Sequence, residues 1–151
     1  MHTENENPTH PGAKSQLAIV LEKKIVWIVL LVTAISYLGT LQFEFVSEDS
    51  STILFNPFIR AWKFVPTYFR TPGWASLAPG SVGNYYRPIF QVFMRVNYAI
   101  FTNRPLGWHM AAIALHLVVT WLVFAVNRKL TGDFTVAWLA ALIFGAHPVH
   151  H

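Results

Sequence analysis

Glu48 and Asp49 are the only adjacent pair of acids in the 151-residue chain. Two carboxylates this close repel, and one of them can hold its proton to higher pH. Such a group can act as a general base on a hydroxyl. The surrounding Ser47-Glu48-Asp49-Ser50-Ser51 reads equally as a solvated, helix-capping turn. Farther along, Tyr85-Tyr86-Arg87-Pro88 sets a guanidinium at the head of a helical pattern. Arginine matches phosphate bidentately, and a helix N-terminus adds anion affinity. The same arginine could simply anchor a helix at the headgroup layer.

Histidines supply the remaining candidates. His109 and His116 are seven apart in an apolar run, nearly two helical turns, and so share a face. Ionisable groups inside a membrane are functional candidates, although a neutral histidine bonded to a neighbouring helix is the simpler reading of His116. His147, His150 and His151 cluster at the end of the chain. A metal needs three or four ligands in fixed geometry, and a His-x-x-His interrupted by Pro148 is a poor frame, so no metal is assigned. A place beside an anionic group suits these residues better. No P-loop, dinucleotide fingerprint, nucleophile elbow or HExxH is present, so no cofactor is expected, and a divalent metal stays open.

The elements that position these groups follow from composition. Hydrophobic residues make up 54% of the chain and charged residues 12%, about half the charged share of a soluble domain. Mean hydropathy is +0.40. This places the chain among membrane proteins. Aromatic content of 15% excludes a disordered chain. The absence of cysteine excludes disulfides and thiolate metal sites. The net charge of +4 comes without a polybasic block, which points to topology signals and lipid headgroups and away from nucleic acid.

Residues 1–24 read as a disordered cytoplasmic tail. An uncharged run of 19 residues over 25–43 and one of 21 over 106–126 read as transmembrane helices. A third run over 134–146 has 13 residues and leads into the His-rich end, giving a third span over 134–151. Lys23-Lys24 and the 127–133 connection, with Arg128 and Lys129, are short cationic segments. The positive-inside rule puts both, and the N-terminus, in the cytoplasm. Residues 44–105 then lie outside. In that segment Asn56-Pro57 marks a turn before a short helix expected over 58–69 and interrupted at Pro66. Thr71 to Asn84 reads as a loop. Over about 88–102, Ile89, Val92, Phe93, Val96 and Ile100 recur at helical spacing, opposite Gln91, Arg95, Tyr98 and Thr102. This is an amphipathic helix expected to lie along the membrane surface or to cover the spans. The fold class is thus all-α and polytopic, with three transmembrane helices and an extracytoplasmic loop carrying juxtamembrane helices.

Several of these segments together resemble one family. Phe45-Val46-Ser47-Glu48-Asp49 with Ile53 and Asn56-Pro57 is similar to the acidic first-loop motif of membrane O-mannosyltransferases carrying tetratricopeptide repeats. Tyr86-Arg87-Pro88-Ile89 resembles that family's Tyr-Arg-Pro-Leu segment, and Trp108-His109 with Leu115-His116 its His-x6-His span. Ala140 to His150 resembles its third-span end, Leu-Phe-Ala-x-His-Pro-Val-His. The motifs keep the family's order over residues 25–151. The chain departs in having Glu48 where the family has Asp, and Ala112 where it has Asn.

The resemblance implies a GT-C glycosyltransferase that takes a sugar, mannose, from a polyprenyl-phosphate donor in the membrane and gives it to a protein or lipid hydroxyl at the outer face. The membrane would be a bacterial inner membrane or the endoplasmic reticulum. Glu48 and Asp49 match the acid that deprotonates the acceptor, with Asp49 favoured. Arg87, His109, His147 and His150 are expected to contact the phosphate, because anion stabilisation is a large part of such catalysis. The family continues through more spans and its repeats. The chain therefore reads as an amino-terminal portion, inactive alone, with the carboxy-terminal part of the same enzyme as partner. Two readings compete. A non-catalytic scaffold or assembly subunit needs none of these residues, and a transport component would need His116 to relay protons.

Overall fold

A computed structural model describes residues 11–46, 49–70 and 86–147. The expected tail over 1–10, Glu48, the loop from Thr71 to Asn84, His150 and His151 lie outside the described residues. Every regular element among the described residues is helical. The α-helices among them are α1 (Pro11–Tyr37), α2 (Val65–Tyr68), α3 (Pro88–Phe101), α4 (Pro105–Thr131) and α5 (Phe134–Ala146). Tighter or wider turns fill Leu38–Gln42, Ser50–Leu54, Phe58–Arg60 and Trp62–Phe64. The chain forms two compact units, one from residues 1–37 and 115–151 and one from 38–114.

Ile19–Gln42 and Pro105–Thr131 are both long and apolar enough to cross a membrane. Only 17% and 6% of their most apolar windows are buried, so neither is the core helix of a soluble globule. The sorting of residues agrees. In the first unit the buried positions include Val29, Thr33, Tyr37, Thr120, Ala137 and Ala141, whereas Trp27, Leu31, Ile35, Trp121, Val126 and Ile143 are exposed. Small and hydroxylated residues inside with large apolar residues outside is the arrangement that a lipid solvent favours.

Helix α5 packs along α1 through residues at i, i+4 and i+8. Ala137, Ala141 and Gly145 of α5 are buried, as are Val29, Thr33 and Tyr37 of α1. A Cβ on Gly145 would overlap Thr33 Oγ1, so the glycine is what allows the backbones to approach. Asp133 caps α5 by accepting from the N–H groups of Thr135 (2.6 Å) and Val136 (3.3 Å). Arg128 of α4 pairs with Glu22 of α1 at 3.1 Å.

Two boundaries differ from those expected. The described part of helix α1, Pro11–Tyr37, takes in residues 11–24, which are helical and not a disordered tail. Ala13, Lys14, Gln16, Leu17 and Ala18 are all good helix formers, so the helix has no reason to begin where the apolar run does. Helix α4 runs on to Thr131 and absorbs most of the expected 127–133 connection. It stops at Gly132, whose φ of 69° suits the left-handed conformation that ends helices.

In the second unit Ile53, Ile59, Met94 and Trp108 form the core, with Phe45, Tyr98 and Phe101 against it. Asn56 Oδ1 accepts from Phe58 N–H at 2.9 Å, the turn expected at Asn56-Pro57. The helical stretch expected over 58–69 breaks at Ala61, which is extended (φ −136°, ψ 136°). Pro66 instead sits in the first turn of α2, where its missing N–H costs nothing.

Helix α3 departs from its expected pattern at Arg95. Its buried residues are Met94, Arg95 and Asn97, while Ile89, Val96 and Ile100 of its apolar stripe are exposed. Those three apolar residues are open to a membrane surface, as the expected placement requires, while Val92 and Phe93 of the same stripe are half-buried.

Candidate active site

Asp49 lies just beyond the first apolar helix in a turn that it closes itself. Its N–H donates to Val46 O at 2.8 Å, and its Oδ2 accepts from Val46 N–H at 3.2 Å. The second bond orients the carboxylate toward Val46, and the side chain is half-buried. Among the described residues Asp49 takes part in no ion pair; the pair found there is Arg128–Glu22.

Arg87 is the N-cap residue of α3 (φ −136°, ψ 65°), and its carbonyl accepts from Gln91 N–H at 3.2 Å. Its side chain is exposed. Pro88 follows at the first helical position, where its fixed φ starts the helix. Arg87 and Asp49 belong to the same unit but do not form an ion pair with each other.

His109 belongs to this unit too. Its Nε2 lies 3.1 Å from Phe43 O. A carbonyl only accepts, so Nε2 carries the proton. His109 thereby ties α4 to the residue that follows the first apolar helix.

The other histidines fall in the first unit. His116 Nε2 donates to Gly145 O at 3.0 Å. The ring packs edge-on to Tyr37 (centroids 4.9 Å apart) and stacks on Phe144 (5.5 Å). This is the helix-bonded histidine that the simpler reading anticipated. His147 accepts the Tyr37 hydroxyl on its backbone carbonyl at 2.9 Å, and its side chain is exposed. Among the described residues no three of His, Asp and Glu gather in a way that could hold a metal.

Sequence reasoning missed Arg95. Pattern alone puts it on the polar face of α3, yet it is 6% exposed. Its guanidinium carbon lies 4.3 Å from the centre of the Trp62 ring, and its Nε has no hydrogen-bond partner. Nearby, burial pushes the Tyr68 phenol above its usual 10.0, against the opposing pull of the Arg95 cation. The Tyr68 hydroxyl donates to Phe58 O at 2.6 Å. One signal was available: residues 50–104 contain six cations and no carboxylate.

Long apolar helices that expose their large side chains are the layout of a membrane protein. Comparison with known proteins gives its kinship. The chain is 34% identical over 116 residues to Protein O-mannosyl-transferase Tmtc1 of Drosophila melanogaster, covering 76% of this chain and 13% of that one. It is 31% identical over 129 residues to Protein O-mannosyl-transferase TMTC3 of Homo sapiens, covering 85% of this chain and 14% of the relative. With Protein O-mannosyl-transferase F38B6.6 of Caenorhabditis elegans the identity is 28% over 127 residues, covering 82% and 18%. The chain belongs to the TMTC family of protein O-mannosyl-transferases. It spans between 13% and 18% of the length of these relatives. No family model matches the chain, and no solved structure does.

Proposed function

We propose that this chain is the acid-bearing segment of a GT-C mannosyltransferase that moves mannose from a polyprenyl-phosphate donor to a hydroxyl at the outer membrane face. The N-terminus is cytoplasmic, residues 44–105 lie outside, and α5 is a third pass. The packing of α5 along α1 supports that third pass, although 13 residues reach only about 20 Å.

In this reading Asp49, with Glu48 beside it, takes the proton of the acceptor hydroxyl. The oxygen attacks C1 of the sugar, and the C1–O bond to phosphate breaks with its electron pair leaving on the lipid phosphate. Arg87 and His109 meet the charge that develops there. The same task is proposed for His147 and His150 from their residue type alone. The observation that carries the reading is the Asp49 turn: a carboxylate oriented by the Val46 N–H, with no ion-pair partner among the described residues. Inversion requires the base and the phosphate-binding cations on opposite faces of the sugar. A direct Asp–Arg pair would neutralise both.

The test is a chimera in which the matched 116 residues replace their counterpart in the Drosophila relative. Mannose transfer from polyprenyl-phosphate mannose to a hydroxyl acceptor is expected, with loss in Asp49→Asn. Full transfer by Asp49→Asn would favour the scaffold reading.

A further inference from the structure

Arg95 presents a problem that its own unit does not solve. A guanidinium carries five N–H donors. Among the described residues Arg95 is in no ion pair, its Nε is unpartnered, and its contact is the face of Trp62. A ring quadrupole attracts a cation, but it accepts few of those donors. Buried charges are normally paired. Tyr68 does not complete the set: among the described residues it makes no hydrogen bond to Arg95, its hydroxyl donates to Phe58 O, and its phenol favours the neutral form and offers no counter-charge.

The chemistry of the missing partner follows from the surroundings. Residues 50–104 hold Arg60, Lys63, Arg70, Arg87, Arg95 and Arg104 and no acid, so this stretch provides no counter-charge. Arg60 and Lys63 flank Trp62 in sequence. The unit's six cations outnumber its three acids, Glu44, Glu48 and Asp49, an excess that favours an anion, and a planar fork fits phosphate oxygens two at a time. The exposed Ile89, Val96 and Ile100 lie on the same helix, an apolar stripe suited to a bilayer.

We propose that Arg95 and Trp62 form a phosphate-binding site, and that the phosphate belongs to a membrane lipid. The inference deepens the reading above and rests on it for the identity of that lipid, a polyprenyl phosphate.

The test uses the full 151-residue chain in phosphatidylcholine nanodiscs, with tryptophan fluorescence as the readout. Titration with polyprenyl monophosphate is expected to saturate, and titration with the matching polyprenol is not. Arg95→Gln weakens binding about tenfold or more, a loss of about 1.4 kcal/mol or more. Arg95→Lys weakens it less, because it keeps the charge and loses the fork. Arg128→Gln, which removes a cation from the other unit, leaves binding unchanged. Inorganic phosphate in solution is expected to compete only weakly. Equal binding of phosphate and alcohol by the wild-type chain would overturn the site, whatever the variants do. So would wild-type affinity in a folded Arg95→Gln or Arg95→Lys chain. Inorganic phosphate binding as tightly as the lipid would overturn the lipid assignment. Since no sugar is transferred in this assay, lipid binding with an inactive chimera would sink the transferase reading and leave the site standing.

Discussion

Thr33 and Gly145 meet so closely that the glycine has no room for a side chain. A Cβ there would overlap Thr33 Oγ1 and lie 3.0 Å from Thr120 Cγ2. The Gly145 carbonyl also accepts from His116 at 3.0 Å. One residue thus joins three helices of its unit.

Gly145→Ala should therefore destabilise the first unit. Alanine gains up to about 1 kcal/mol of helix propensity, and less near a helix end. Overpacking costs about 1–3 kcal/mol, and a displaced His116 bond costs about 0.5–1.5 kcal/mol more. The cost wins, and denaturant titration in detergent measures it. A variant as stable as wild type would show that the helices can part cheaply.

Asp49→Asn keeps an oxygen that can accept from Val46 N–H, so the turn survives and stability changes little. In the chimera, mannose transfer should fall by about 10²–10⁴-fold, the usual weight of a general base. The 151-residue chain by itself should transfer none. A measurable rate from the chain alone would refute that.

Tyr68 gives a pH prediction. Its folded pKa is raised above 10.0 by burial, so the fold favours the neutral phenol. Its contribution to stability is complete below pH 10 and is lost as pH rises through the folded pKa. Melting temperature should fall in that alkaline window, and Tyr68→Phe should remove this part of the fall. In an ultraviolet titration, one of the five tyrosines should ionise after an ordinary phenol would.

Thr102 joins α3 to α4 at φ 52°, ψ −121°. Arg104 N–H bonds to Phe101 O at 3.1 Å across it, as in a type II′ turn whose first central residue is ordinarily glycine. A β-branched residue there costs about 1–3 kcal/mol. Thr102→Gly should raise stability by about 1 kcal/mol once glycine's extra chain entropy is subtracted. The Trp108 Nε1 bond to Thr102 O, at 2.9 Å, uses only backbone at Thr102, so the variant should keep the tryptophan emission spectrum of the wild type.

The long helices were legible because uncharged runs leave little alternative in a membrane, and the family was legible in short motifs such as Tyr86-Arg87-Pro88-Ile89. The burial of Arg95 was not. The pattern puts Ile89, Val96 and Ile100 toward the membrane surface or the spans, and Arg95 on the opposite, polar face. Here the apolar stripe is exposed and Arg95 is buried against Trp62. The Val46–Asp49 turn was foreshadowed by the capping composition around it. The His109 bond to Phe43 O was not, because a side chain reaching a backbone carbonyl 66 positions away leaves no local trace.

Helices α1 and α4 each contain 27 residues, about 40 Å of rise for a hydrocarbon layer of about 30 Å. Their surplus must project past the acyl chains or be taken up by leaning. Glu22 and Arg128, bridged at 3.1 Å, mark one level that the two helices share. A thicker or thinner bilayer would then alter how far each helix inclines.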